Sequence, residues 1–273
     1  MIANVWAGIR AIWCFRDYKP QHITIRSVLG WLNQFDKTDR KALRLLLKKV
    51  IYITEDQTKS TLLELNQKLL ARLAGAGIPA KNIIYVQVHD AGSSSPLILN
   101  TLRDGARLEQ RGCRFLDSKD VKGLHQTTNK LEEGAIIFVD DFAGSGNQFC
   151  ESRDFFAQHI VGSFGEFFLL PCICEEAFQE IEARGVEAIP GFIHRKTERP
   201  LHENCNSFNP EFKKHLINLC LRIDRRGGLG YKRMATMVVF YRNAPNTIPV
   251  LLRGNPGQQP FWGIFPRTSD LPY

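Results

Sequence analysis

The stretch Gly134-Ala135-Ile136-Ile137-Phe138-Val139-Asp140-Asp141-Phe142-Ala143-Gly144-Ser145-Gly146-Asn147-Gln148 carries the strongest chemical signal in the chain. An apolar run that reads as a buried strand leads directly into two carboxylates, then a Gly-Ser-Gly turn, then the opening of a helix. The N–H groups of such a turn converge with the positive end of the helix, which is where a phosphate binds. Glycine is required there because a side chain would keep the backbone away from the anion. Asp140 and Asp141 would repel a phosphate, yet they suit the hydrogen-bond donors of vicinal hydroxyls. A phosphate beside a diol describes a ribose 5-phosphate. The competing reading is a strand-to-helix turn with acidic N-capping.

A second segment, Val88-His89-Asp90-Ala91-Gly92-Ser93-Ser94-Ser95-Pro96, also follows an apolar run and opens a helix. Gly92, Ser93 and Ser94 offer N–H and O–H donors to an anion, although Ser-rich capping loops also occur without a ligand.

The elements that must position these residues follow from the hydrophobic pattern. After Asn82, strands expected at Ile83–Val88, Arg114–Leu116, Ala135–Val139, Phe167–Ile173 and Ala188–Ile193 alternate with helices near Pro96–Arg103, Asn147–Ile160 and Glu175–Ala183. That alternation predicts an α/β fold, a parallel sheet with helices on its faces. Before Asn82 the periodicity is helical over Ile25–Phe35, Thr38–Ile51 and Ser60–Ala74. The expected organisation is a basic helical subdomain over 1–82 and an α/β domain with a C-terminal tail over 83–273.

Charge supports that cut. Residues 1–82 hold 14 Lys+Arg and 6 Asp+Glu, a net +8, and the remainder balances at 22 against 22. Arg40, Lys41, Arg44, Lys48 and Lys49 cover one helix face and could grip a phosphate backbone or a partner; a solvated lysine face kept for solubility fits equally. Near the start, Ile2, Val5, Trp6, Ile9, Ile12 and Trp13 form an apolar helical stripe. With only Arg10 and Arg16 as neighbouring cations, docking onto the protein's own core is expected rather than a membrane surface.

The 273 residues, 44% hydrophobic and 23% charged, exclude a disordered chain and a small stapled scaffold. No window reaches the ~18 consecutive apolar residues of a membrane helix, and the first residues lack a secretory pattern, so a cytoplasmic chain with no membrane partner is expected. The seven cysteines are an odd number. Cys172 and Cys174 are the only two close together and are spaced C-x-C rather than C-x-x-C, so packing thiols are expected and no metal site.

The Gly134–Gln148 stretch resembles the diphosphate-ribose loop of type I phosphoribosyltransferases: an apolar strand, two acids, three variable residues, Thr or Ser, Gly, any residue, then Thr or Ser. Asp140, Asp141, Ser145 and Gly146 match it, and Gln148 departs from the final hydroxyl. The resemblance implies a phosphoribosyltransferase-like sheet in which Asp140 and Asp141 hold the ribose hydroxyls while Gly144, Ser145, Gly146, Asn147 and Gln148 cradle the 5-phosphate. It also implies a diphosphate loop at Gly92-Ser93-Ser94. A lid over the leaving group would span Asp117 to Lys130, with Lys119, Lys122 and His125 neutralising or protonating it; a plain surface loop is the alternative. Phe192, His194 and Arg195 would lie at the base-reading hood.

With Trp31-Leu32-Asn33-Gln34-Phe35 and the tail Asn243-Ala244-Pro245-Asn246-Thr247-Ile248-Pro249, the chain looks like the phosphoribosyltransferase-like effectors of bacterial conflict systems, some encoded beside retron reverse transcriptases. That likeness implies a toxic anti-phage effector acting at ribose C1 of a nucleotide or of 5-phosphoribosyl-1-diphosphate. Magnesium would be held through ligand phosphates, and a reverse transcriptase with its RNA–DNA hybrid would be the partner. A non-catalytic module that binds a nucleotide or nucleic acid in the same pocket is the alternative.

Overall fold

The computed structural model describes residues 2–88, 95–117, 120–255 and 261–268. In chain order it begins with α1 (Ile2–Phe15), α2 (Ile25–Asn33), α3 (Lys37–Leu47), β1 (Ile51–Ile53) and α4 (Glu55–Gly75). Next come β2 (Ile83–Gln87), α5 (Ser95–Gly105), β3 (Arg114–Asp117), α6 (Val121–Leu131), β4 (Glu133–Val139) and β5 (Phe142–Ala143). These lead to α7 (Asn147–Ala157), β6 (Ser163–Cys174), α8 (Glu175–Glu182) and β7 (Glu187–His194). Then follow α9 (Pro210–Ile223), β8 (Val238–Phe240), α10 (Val250–Arg253), β9 (Gly254–Asn255) and β10 (Phe261–Trp262).

The chain forms two compact units: an inserted unit, Asp56–Ile193, and a split unit made of Met1–Glu55 with His194–Tyr273. The division therefore does not fall at Asn82, and residues 83–273 are not one body. Side-chain pattern explains the difference. In α4, Thr58, Leu62, Asn66, Leu69 and Leu73 lie on one buried face. The leucines share a core with Ile83 and Tyr85 of β2, and the Tyr85 hydroxyl donates to Asn66 Oδ1 at 2.6 Å. An amphipathic helix goes where its apolar stripe is covered, and here that is the sheet rather than the basic helices.

The inserted unit is an α/β sheet with strand order β3-β2-β4-β6-β5 and β7 beside β6. The pairs β2–β3, β2–β4, β4–β6 and β5–β6 are parallel. Alternation along each strand assigns its side chains to two faces. Ile84, Val86, Ile136, Phe138, Phe168 and Leu170 join Leu124 of α6, Phe149 and Phe156 of α7 and Ile181 of α8. Ile83, Tyr85, Ile137, Val139 and Leu169 join α4 and α5 on the other face. Burial of both faces is why these strands read as continuous apolar runs.

In the split unit, helices from the start of the chain share one core with the tail. Trp31 donates its indole N–H to Leu251 O at 2.7 Å, and the Tyr18 hydroxyl donates to Pro266 O at 2.6 Å. Phe265 is fully buried and meets Phe15 and Tyr18 edge-on, with ring centroids 4.9 and 5.4 Å apart. The tail, expected to belong with the α/β domain, contributes to this core instead. The third basic helix stops at Leu47, because the β-branched and aromatic run Val50-Ile51-Tyr52-Ile53 supplies β1, which pairs in parallel with β8.

The α1 stripe does not dock onto the core as expected: Trp6 and Trp13 stay 66% and 73% exposed and Ile9 and Ile12 are half-buried, while a different face carrying Ala11 and Phe15 is buried. All seven cysteines are free thiols, and six are buried. Burial pushes the Cys113 and Cys150 thiols upward and the Cys220 thiol up to about 12. Among the described residues no helix is long and apolar enough to cross a membrane.

Candidate functional site

The chain leaves β2 through α5 on one face to reach β3, then returns through α6 on the other face to reach β4. Since β4 lies on the opposite side of β2 from β3, the strand order reverses between β2 and β4. Open α/β sheets bind ligands in the crevice outside the carboxyl ends of the strands at such a switch point. The register Gln87↔Val139 sets the two carboxyl ends level, so the residues just beyond Val139 stand at that crevice.

Those residues are Asp140 and Asp141. Asp140 is held by the sheet it terminates: its N–H donates to Leu169 O at 3.2 Å, and its carboxylate accepts the Asp141 N–H at 2.9 Å. The structure separates two acids that sequence treats alike, because Asp140 is 3% exposed and Asp141 is half-buried. The buried Asp140 carboxylate ties down the turn by accepting the Asp141 N–H. The chain then pairs Phe142 with Cys172 and Ala143 with Ile173, which carries it across to β6 before α7 begins.

Gly144, Ser145 and Gly146 form the turn. Gly146 is the N-cap of α7 and adopts φ +78°, which L side chains rarely take. A Cβ there would also lie 3.2 Å from Ala177 Cα at the start of α8. Glycine at the cap supplies no side chain to the first turn, so the N–H groups of Asn147 and Gln148 open α7 as in an anion-binding helix start. Ser145 Oγ lies 3.5 Å from Asn147 N, at the limit of a hydrogen bond. Gln148 is exposed.

Packing fixes the angle of α7. Phe149 stacks on Phe168 with centroids 4.1 Å apart and meets Phe138 edge-on, so one helix residue touches both central strands. A two-pronged ion pair adds to this, Arg153 Nε and Nη2 to Glu166 at 2.8 and 2.6 Å.

The residues expected on the leaving-group side are less gathered. Gly92, Ser93, Ser94 and Lys119 lie outside the described residues. The segment expected as a lid or a plain loop is largely α6, capped by Asp120, whose carboxylate accepts the Gly123 N–H at 2.8 Å. Leu124 and Thr128 face inward, and Lys122 and His125 are exposed on the outer face. The hydrophobic period Val121, Leu124, Thr128, Leu131 was the signal for this helix. His194, expected at a base-reading hood, is fully buried in the split unit; its Nε2 accepts the Met237 N–H at 3.1 Å, a structural role. Arg40, Lys41, Arg44, Lys48 and Lys49 lie on or just beyond α3, in the split unit.

Two polar features of the carboxyl edge escaped sequence reasoning. Gln87 and Asp117, the last residues of the paired strands β2 and β3, hydrogen-bond to each other. Glu175 and Glu176, half-buried, follow β6 directly, next to the Ala177 that confines Gly146. Their position, polar residues directly ending apolar strands, was the available signal. Among the described residues no group of three or more His, Cys, Asp or Glu could hold a metal ion.

Residues 28–267 match the PRTase-CE family. The chain belongs to that family. The match begins within α2 and runs past β10, so the PRTase-CE sequence signature draws on both compact units. No curated protein sequence gives a comparable match. Among solved structures, an orotate phosphoribosyltransferase from Aeropyrum pernix is 14% identical, over 49% of this chain and 69% of its own, with a TM-score of 0.32. An HGPRT-ase from Leishmania tarentolae in complex with GMP is 13% identical, over 45% and 70%, at 0.35. A hypothetical protein from Neisseria gonorrhoeae with bound ppGpp is 11% identical, over 62% and 97%, at 0.37.

Proposed function

We propose that the inserted unit binds a 5-phosphoribosyl ligand, a nucleotide or 5-phosphoribosyl-1-diphosphate, and acts at ribose C1 by transfer or cleavage. The observation that carries this reading is the run from β4 through Asp140 and Asp141 to the left-handed Gly146 and the start of α7, placed at the switch point of a parallel sheet. The N–H groups at Gly146, Asn147 and Gln148 take the 5-phosphate. Asp141 accepts from the ribose hydroxyls, with Asp140 beneath it. Anchoring the sugar this way stabilises positive charge developing at C1, since fixed carboxylates need no reorganisation as it forms. Magnesium would come with a diphosphate and be held through ligand oxygens and water, as this hard cation often is. In the cell the reading is a toxic effector of a retron-type anti-phage system, partnered by a reverse transcriptase and its RNA–DNA hybrid.

The test is calorimetric titration of the full chain with 5-phosphoribosyl-1-diphosphate and with nucleoside monophosphates, with and without magnesium. Binding is expected for the wild type and a loss of at least a hundredfold for Asp140→Asn, Asp141→Asn. Equal binding by that variant would sink the site.

A second reading keeps the pocket without turnover. It is favoured by the exposed positions of Lys122 and His125 and by Gln148 in place of a hydroxyl. Release of diphosphate or free base from a bound ligand separates an enzyme from a sensor, which returns its ligand unchanged.

A further inference from the structure

The two units have opposite charge. The split unit holds 23 Lys+Arg against 9 Asp+Glu, a net +14, and the inserted unit holds 13 against 19, a net −6. Within the split unit the cations are ordered. Lys37, Lys41, Arg44 and Lys48 follow one another at i, i+4, i+7 and i+11 along α3 and its C-cap, one helix face about 16 Å long. The three lysines are exposed, and among the described residues none of them lies within ion-pair distance of a carboxylate. Asp39, the acid within α3, is buried and taken up by α9: its Oδ1 is 2.7 Å from His215 Nε2, and its Oδ2 is 3.7 Å from the Arg222 guanidinium. The two helices thus meet over a neutralised acid while their outward charge stays positive.

An exposed aromatic residue has its backbone pinned by the residue that closes α2, ahead of this row. Gln34 closes α2 three residues before Lys37, and its side-chain amide grips both backbone groups of Trp262. Its Nε2 donates to Trp262 O at 2.8 Å, and its Oε1 accepts the Trp262 N–H at 3.1 Å. Phe261 packs edge-on against Phe35 at 5.2 Å, while Trp262 remains 53% exposed. Solubility accounts for surface lysines; it does not account for an indole left exposed on a backbone that Gln34 holds in place.

We propose that this face binds single-stranded nucleic acid, its cations tracking the phosphates and Trp262 stacking on a base. A row of cations with a stacking platform is the chemistry by which single strands are held without sequence preference. A duplex keeps its bases away from the indole. A lipid surface calls for an apolar plane, and the residues interleaved here on α3 are polar or cationic. The proposal concerns the split unit and does not rest on the nucleotide site of the inserted unit.

The experiment is fluorescence anisotropy of the full chain with labelled oligo-dT of 20 nucleotides, the same length of duplex, and vesicles containing phosphatidylserine, across a salt series. Oligo-dT is expected to bind most tightly and to quench tryptophan emission. Trp262→Ala is expected to weaken it about tenfold. Lys37→Gln, Lys41→Gln, Lys48→Gln is expected to flatten the slope of log K against log salt by about 2, at roughly 0.7 per phosphate contact. All four positions are exposed, and circular dichroism checks that the variants remain folded. Duplex preference with a silent Trp262→Ala, binding to vesicles alone, an unchanged slope in the triple variant, or no binding by the folded chain at low salt would each overturn the proposal. Asp140→Asn, Asp141→Asn is expected to bind oligo-dT as the wild type does, which separates failure here from failure at the nucleotide site.

Discussion

The inserted unit and the split unit solve different problems. The inserted unit buries both faces of a parallel sheet and places Asp140 and Asp141 at the carboxyl end of β4, where they begin a loop that ends at the left-handed Gly146. The split unit builds a helical core from the two ends of the chain and turns its charge outward, at +14 against −6. In one, two carboxylates are placed by backbone geometry at the end of β4; in the other, cations follow one another along a helix surface. A small ligand needs the first arrangement, because its recognition depends on fixed donors and acceptors. A polyanion needs the second, because its affinity grows with the number of phosphates neutralised.

The comparison can be broken most severely at Phe265. This ring joins the tail to Phe15 and Tyr18, so Phe265→Ala leaves a cavity where the two ends of the chain meet. A loss of about 3–5 kcal/mol is expected on chemical denaturation. At temperatures where the variant stays folded, titration should give the wild-type affinity for the ligand of the Asp140 site. A loss under 1 kcal/mol would show that the tail is not part of the core.

The corresponding change in the inserted unit is Gly146→Ala. Positive φ and the close approach of Ala177 both oppose a methyl group, and about 1–3 kcal/mol of destabilisation is expected. The larger consequence lies in binding, since the turn must shift the N–H groups that open α7. Affinity should fall much further than for Ser145→Ala, whose side chain makes one marginal contact. Equal losses would mean that side chains rather than backbone carry the phosphate.

Most of the inserted unit was legible in the sequence, and little of the split unit was. Strands at Ile83 and Ala135 announce themselves by unbroken apolar runs, and a glycine-rich turn after two acids leaves few conformations open. The turn between β4 and α7 was therefore located in the sequence. Helix α6 was missed because its opening, Asp120 to Gly123, with an acid, a lysine and a glycine around Val121, reads as a loop until Leu124 and Thr128 find the sheet. The split unit was obscured for a different reason. Its core pairs Trp31 with Leu251 and Ile51 with Val238, partners separated by the whole inserted unit, and no local period reports such contacts. Cutting at Asn82 also assigned the positive excess to too few residues, because the cations of α9 and the tail sit far along the chain. The unequal roles of Asp140 and Asp141 were invisible for the same reason, since burial depends on which strand lies alongside.

Thiol chemistry sharpens the contrast with the smallest perturbation. Cys14 on α1 is exposed, whereas Cys113, Cys150, Cys172 and Cys174 in the inserted unit are all buried. Reactivity follows the thiolate, and burial holds the Cys113 and Cys150 thiols above their ordinary value, so at pH 8 these groups are both hidden and protonated. Iodoacetamide should add a single label to the folded chain within minutes, which peptide mass spectrometry should place at Cys14. Labelling at Cys150 requires α7 to leave Phe138 and Phe168, the same motion that would dismantle the phosphate turn. A ligand at the Asp140 site should therefore slow labelling of Cys150 by mass action and leave Cys14 unchanged. An oligonucleotide on the α3 face should slow neither, because it holds no element that covers Cys150. Native-state labelling of Cys150 as fast as Cys14 would show that α7 is not packed as described, and the site would lose the helix on which it depends.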